Sequence, residues 1–177
     1  MLIVVPARKG SKGVPGKNTK PFRGFPLVEW SFASAQYLAG KLNAQIMCTT
    51  DDPAISALVT TRYAGRILLR DRPADLAGDN IGMAGVVLDA CAQQDAQRYV
   101  LLQPTSPLRL QDDLDALSDA IGQFETVVSC TIPSEHPKDL ITLSGDRGRS
   151  ILDAPKTATR QDSHTAYRFV DGALYSG

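Results

Sequence analysis

The sequence predicts an α/β fold in three layers, a mostly parallel sheet with helices on both faces. Two observations predict it. Short apolar runs recur at residues 2–5, 44–50 and 99–103, and segments with helical periodicity or helix-start chemistry stand between them. The chain has 177 residues, the size of one domain, long enough to bury roughly 70% of its unfolded surface.

The elements follow in order. Residues 2–5 (Leu-Ile-Val-Val) form a strand apolar at every position, as a strand buried on both faces requires. Pro26 opens a helix running to about Ala39. Ala44 to Thr50 is the second strand, and Asp52-Pro53 begins the next helix as N-cap and first-turn residue. Arg66 to Leu69 is short and strand-like. Over residues 80–94, Ile81, Ala84, Leu88 and Cys91 form a helical stripe expected to face inward. Tyr99 to Gln103 is a strand. Asp112, Asp113 and Asp115 favour a helix N-terminus, with Leu114, Leu117 and Ile121 on its inner face. Glu125 to Ile132 reads as one further strand. Residues 133–168 are polar and carry Pro133, Pro137 and Pro155, and only Leu140 to Leu143 is strand-like. This stretch is either a flexible insert or an extension that orders on a partner or substrate. Gly172 to Tyr175 is strand-like again.

Bulk properties exclude several classes. Lys plus Arg number 19 and Asp plus Glu number 19, so no general field for nucleic acid or a membrane surface exists. No apolar run approaches the roughly 20 residues of a spanning helix, and no signal peptide is apparent. The three cysteines, Cys48, Cys91 and Cys130, form no C-x-x-C pair and are read as small hydrophobes. A cytoplasmic location is expected.

Against this neutral background the first loop stands apart. Residues 6–18 hold Gly10, Gly13 and Gly16 and the cations Arg8, Lys9, Lys12 and Lys17, and the first acid is Glu29. Glycine allows backbone N–H groups to approach a ligand closely, and Arg grips oxyanions bidentately. The loop therefore suits a polyphosphate. It is not a P-loop, since Gly10 to Gly16 is one residue too long and Asn18 follows Lys17 where Ser or Thr would hold magnesium. Nor is it G-x-G-x-x-G. Arg8, Ser11 and Lys17 with the glycine N–H groups are the expected phosphate ligands, Lys12 joins them, and Lys9 is read as solvent-facing.

Pro6 to Asn18, Pro-Ala-Arg-Lys-Gly-Ser-Lys-Gly-Val-Pro-Gly-Lys-Asn, resembles the signature loop of the acylneuraminate cytidylyltransferases, the CMP-sialic acid synthetases and their relatives for other nine-carbon keto-sugar acids. Further stretches agree in the same order: Thr49-Thr50-Asp51-Asp52, Arg72-Pro73-Ala74-Asp75-Leu76-Ala77, Leu101 to Arg109 (Leu-Leu-Gln-Pro-Thr-Ser-Pro-Leu-Arg), Arg160-Gln161-Asp162, and Asp171 to Tyr175.

The resemblance implies a Rossmann-like nucleotidyltransferase fold and transfer of CMP from CTP to a sialic-acid-like nonulosonic acid with loss of pyrophosphate. It implies Mg2+ as cofactor and a homodimer, with residues 133–170 serving association and the neighbour's site. By resemblance Asn18 binds the nucleotide, Arg72 and Asp79-Asn80 border the cytidine, Gln103 binds the sugar acid, and Arg160 is catalytic. Asn80 stands where the family usually has Ser or Thr, and Asp79 serves equally as a helix cap. Lys138 and Arg168 are candidates for the acid's carboxylate, and Asp171 replaces an amide common in the family. Asp51 is assigned to the metal side or to the helix N-terminus that follows it. Arg109 is open between structure and function. Members of the family continue past the point where this chain stops, into a segment with magnesium-binding aspartates, so a truncated C-terminus is expected. The rival readings are a CTP-binding but catalytically impaired fragment, or a CMP-transferase for legionaminic or pseudaminic acid.

Overall fold

Strand β1 (Leu2–Pro6) is buried at every position. Its alternate residues face opposite sides of the sheet, and they join two different cores. In the computed structural model, which describes residues 1–10, 13–78, 81–134, 141–144, 147–150, 167–169 and 175–176, β1 is followed by a 3-10 turn at Lys17–Thr19 and a tight hairpin of β2 (Pro21–Phe22) and β3 (Phe25–Pro26). Helix α1 (Leu27–Leu42), β4 (Gln45–Thr50), α2 (Pro53–Arg62), β5 (Leu68–Asp71), a 3-10 turn at Ala74–Leu76, α3 (Met83–Gln93), β6 (Tyr99–Leu101), α4 (Gln111–Ala120) and β7 (Val127–Val128) come next. The remaining strands are β8 (Cys130–Thr131), β9 (Ile141–Ser144), β10 (Arg147–Ser150), β11 (Arg168–Phe169) and β12 (Tyr175–Ser176).

The chain divides into two units. The first comprises Met1–Ser129 with Asp171–Gly177, and the second Cys130–Val170. In the first unit six strands form one sheet in the order β5-β4-β1-β6-β12-β7. β5, β4, β1 and β6 are parallel, in register through Val5↔Cys48, Pro6↔Thr49 and Val4↔Leu101. β12 is antiparallel to both β6 and β7. Ile3, Val5 and Ala7 pack with Val28, Phe32, Ala35 and Leu38 of α1, Ile55 and Val59 of α2, and Leu114 and Leu117 of α4. Leu2 and Val4 pack on the other side with Met47, Leu101 and the α3 residues Val87, Ala90 and Cys91. The expected three layers are thus present. In the second unit β9 pairs with β10 and β11 with β8, all antiparallel.

Local chemistry explains several boundaries. Asp52 caps α2 by accepting from the Ala54 N–H at 3.0 Å, ahead of Pro53 at the first turn. α1 ends at Asn43, whose left-handed backbone (φ 49°) suits asparagine at a helix C-terminus.

Other expectations are corrected. α3 begins at Met83, and its buried stripe is Val86, Val87, Ala90 and Cys91. Leu88, expected to face inward, is 68% exposed, and Ile81 and Ala84 are exposed as well. Two apolar stripes overlap on this helix, and the branched pair Val86-Val87 fits the sheet better than Leu88 with Ala84. The single strand expected over Glu125 to Ile132 is two strands interrupted at Ser129: β7 joins the main sheet and β8 belongs to the second unit. β10 (Arg-Gly-Arg-Ser) has no apolar alternation to mark it as a strand.

Candidate functional site

The four parallel strands β5, β4, β1 and β6 end at one edge of the sheet. β4 lies on one side of β1 and β6 on the other, so the strand order reverses beside β1. In open α/β sheets ligands bind at this position. The basic loop leaves β1 there.

Hydrogen bonds pin that loop to the end of β4. The Ala7 N–H donates to the Thr49 carbonyl at 2.9 Å, and Thr50 Oγ1 donates to the Ala7 carbonyl at 2.5 Å. The Lys9 N–H donates to Asp51 Oδ1 at 2.7 Å, a contact between residues 42 apart in sequence. At the far end of the loop Asn18 Nδ2 donates to the Arg8 carbonyl at 3.0 Å and closes it. Gly16 sits at φ 63°, and the N–H groups of Thr19 and Lys20 both bond its carbonyl. That left-handed turn sets the 3-10 turn carrying Lys17. Gly16→Ala is expected to cost about 1 kcal/mol through the left-handed penalty on a side chain, read as a lowered chemical-denaturation midpoint.

The electrostatics favour an anion. Lys17 is half-buried, and desolvation, then the Arg8 charge, holds its ammonium below the usual lysine range. Arg72, just past β5, is buried, and desolvation lowers its pKa, opposed mainly by Asp51, while Arg8 adds to the lowering. These interactions place Arg8 near both Lys17 and Arg72. Asn18 is 7% exposed, and its Oδ1 has no hydrogen-bond partner among the described residues. An acceptor buried and unpaired in this way costs free energy.

Arg72 folds back onto β4. Its N–H donates to the Thr50 carbonyl at 2.8 Å, Nη2 to the Thr49 carbonyl at 2.9 Å, and Nε to Thr49 Oγ1 at 3.4 Å. Thr49 and Thr50, quoted above only as part of a motif, thus hold both the loop and Arg72. The α2 cap is Asp52, and Asp51 clamps the loop through one carboxylate oxygen. No group of three or more His, Cys, Asp or Glu side chains that could hold a metal occurs among the described residues. Magnesium is commonly held by one or two carboxylates, waters and substrate phosphates rather than by an all-protein cage, and Asp51 fits as such a single carboxylate.

Gln103 follows β6 at the same edge, half-buried. Its carbonyl accepts from Arg109 Nη2 at 2.6 Å, the Ser106 N–H at 3.2 Å and Ser31 Oγ at 3.4 Å, and Arg109 Nη1 also donates to Ser31 Oγ at 3.1 Å. Burial pushes the Arg109 guanidinium down to about 10. Arg109 and Ser31 are 78 residues apart, so no local pattern announces this clamp.

The structure therefore brings Arg8, Lys17, Asn18, Asp51 and Arg72 together and sets Gln103 on the same edge. Arg168 is an exposed residue of β11 in the second unit, opposite Thr131. Ser11, Lys12, Asn80, Lys138, Arg160 and Asp171 lie outside the described residues. Among the described residues no helix is long and apolar enough to cross a membrane.

The chain is 29% identical to the N-acylneuraminate cytidylyltransferase of Streptococcus agalactiae serotype III over 181 residues, 98% of this chain and 42% of that protein. It is 36% identical to the CMP-N,N'-diacetyllegionaminic acid synthase of Legionella pneumophila over 114 residues, 62% of this chain and 47% of the relative. The chain thus spans less than half the length of these curated relatives. The structure of a CMP:2-keto-3-deoxy-manno-octonic acid synthetase complexed with CTP superposes with TM-score 0.68 at 22% identity, over 99% of this chain and 72% of that one, and so shares the fold. A family profile described as Cytidylyltransferase matches residues 2–145, and with most of its length covered the chain belongs to the cytidylyltransferase family.

Proposed function

We propose that this protein transfers CMP from CTP to the anomeric hydroxyl of a sialic-acid-like nonulosonic acid and releases pyrophosphate. The observation that carries the reading is the basic glycine loop, pinned to the end of β4 by Thr49, Thr50 and Asp51 with Arg8, Lys17 and Arg72 gathered beside it. The reaction needs alignment and charge neutralisation more than covalent help. The acid's hydroxyl oxygen attacks the α-phosphorus, the bond to the bridging oxygen breaks, and the hydroxyl proton is released. Arg8 and Lys17 bind the triphosphate and oppose the charge growing on the leaving pyrophosphate, with Ser11 and Lys12 of the same loop as further ligands. Arg72 and Asn80 flank the base, and Asn18 helps bind the nucleotide. Asp51 would hold Mg2+, which would supply further charge neutralisation.

Gln103 contacts the sugar acid, and Lys138, Arg160, Arg168 and Asp171 belong to the acid side and to catalysis in this reading. A homodimer in the cytoplasm is part of the same proposal. The test is CTP binding with magnesium against ATP, GTP and UTP, followed by CMP-sugar formation from a panel of nonulosonic acids. CTP preference with turnover of one acid supports the proposal, and equal binding of all four nucleotides overturns it. A legionaminic-type acid is the second reading, supported by the 36% identical relative, and the panel separates the two. CTP preference without turnover favours a binding-competent but catalytically impaired chain.

A further inference from the structure

The backbone on both sides of Arg8 is held by side chains. The peptide group before it is held at the Ala7 carbonyl, which accepts from Thr50 Oγ1 at 2.5 Å. The peptide group after it is held at both ends. Its Arg8 carbonyl accepts from Asn18 Nδ2 at 3.0 Å, and its Lys9 N–H donates to Asp51 Oδ1 at 2.7 Å. Peptide groups are planar, so only φ and ψ of Arg8 lie between these two planes. Holding both planes sets the direction in which the Arg8 side chain leaves the chain.

Thr50 differs from the other two holders. Asn18 and Asp51 stand beside the nucleotide and the metal in the proposed function. Thr50 is 0% exposed and so can touch no ligand. A hydroxyl has one proton to donate and two lone pairs to accept with. Here the proton goes to the Ala7 carbonyl, and a lone pair accepts the Asp52 N–H at 3.0 Å. The Asp52 bond aims the hydroxyl, and the Ala7 bond passes that aim to the loop. The Thr50 main-chain carbonyl separately accepts the Arg72 N–H at 2.8 Å, and that bond does not depend on the side chain. One buried residue thus serves the Arg8 loop through its hydroxyl and Arg72 through its backbone.

We propose that Thr50 is a positioning residue for the triphosphate: its hydroxyl, buried at the end of β4, orients Arg8 toward the phosphates without touching them. The inference rests on the CTP reading above and deepens it. Ordering a rotamer-rich side chain on binding costs affinity, and a guanidinium already aimed by its backbone loses less. The effect of removing the Thr50 hydroxyl is therefore smaller than that of removing Arg8 itself.

The test is calorimetric titration of the whole chain with CTP and magnesium. Thr50→Val keeps the shape and removes the hydroxyl. It should weaken CTP about three- to tenfold, with the ratio of CTP to UTP affinity unchanged because Arg72 still bonds the Thr50 carbonyl. Thr50→Ser keeps the hydroxyl and should bind CTP within about twofold of the parent chain. In the Arg8→Ala background, Thr50→Val should cause no further loss, since no guanidinium remains to be positioned. A general loosening of the fold would instead add to the Arg8→Ala loss. If Thr50→Val does not fold, Thr50→Cys, whose thiol is a weak donor, carries the same comparison. Parent-like CTP affinity in Thr50→Val, a Thr50→Ser as weak as Thr50→Val, or an additive loss in the double variant overturns the inference and leaves the proposed function standing. A parent chain that binds CTP no better than ATP, GTP and UTP overturns the proposed function, and this inference falls with it.

Discussion

Arg8→Ala and Lys17→Ala should each weaken CTP binding by about ten- to a hundredfold, without loss of fold. The magnitude follows from a hydrogen bond to a charged group, worth about 1.5–3 kcal/mol, with about 1.4 kcal/mol per decade of affinity. Both residues sit on a loop outside the two hydrophobic clusters, so the melting temperature should hardly change. The free protein also stands to gain. Desolvation and Arg8 hold Lys17 below its ordinary pKa, so the unfolded chain binds more protons than the folded one between those two values. Stability of the unliganded protein should therefore rise with pH across that alkaline window, and Lys17→Ala should abolish that part of the rise. Isothermal titration with CTP and a pH series of melting curves measure the two effects. Unchanged CTP affinity in both variants would remove the loop from the mechanism.

Arg109→Met should damage the proposed acid side and the fold together. Arg109 donates to the Gln103 carbonyl and to Ser31 Oγ from a largely desolvated position, so truncating the charge leaves two polar groups short of a donor. The expected loss is about 2 kcal/mol, or a melting temperature lower by roughly 4–8 °C for a chain of this size. The Ser106 N–H still holds the Gln103 carbonyl, so the turn is loosened rather than lost. As a positioning residue, Arg109 should show its effect in a raised KM for the sugar acid, with CTP affinity unchanged. Arg109→Lys should recover part of the stability and less of the KM, because an ammonium lacks the planar fork that reaches both oxygens. A stability loss with an unchanged KM would make the clamp purely architectural.

The parts of the molecule legible along the chain are those whose cause is local. β1 is apolar at four consecutive positions and is buried on both faces. Asp52-Pro53 writes a helix start, and Asp52 is the cap. Leu114 and Leu117 repeat at helical spacing and are buried. The basic loop is a density of glycine and cation that needs no partner to be seen, and the resemblance it carries agrees with the family match over residues 2–145. Periodicity failed where it was ambiguous. On α3 two apolar stripes compete, and the sheet chose Val86-Val87 over Leu88. It failed also where one apolar run serves two units, as at Val127–Val128 and Cys130–Thr131.

Tertiary packing settled everything whose partner is distant. The placing of β12 between β6 and β7 joins residues far apart in sequence. Asp51 acts as a loop clamp because Lys9 arrives from 42 residues away, and Arg109 as the anchor of Gln103 because Ser31 arrives from 78. A side chain's intrinsic chemistry is written at its own position, but the neighbours that desolvate it, pair it or leave one of its oxygens unpaired are supplied only when the sheet brings distant segments to one edge.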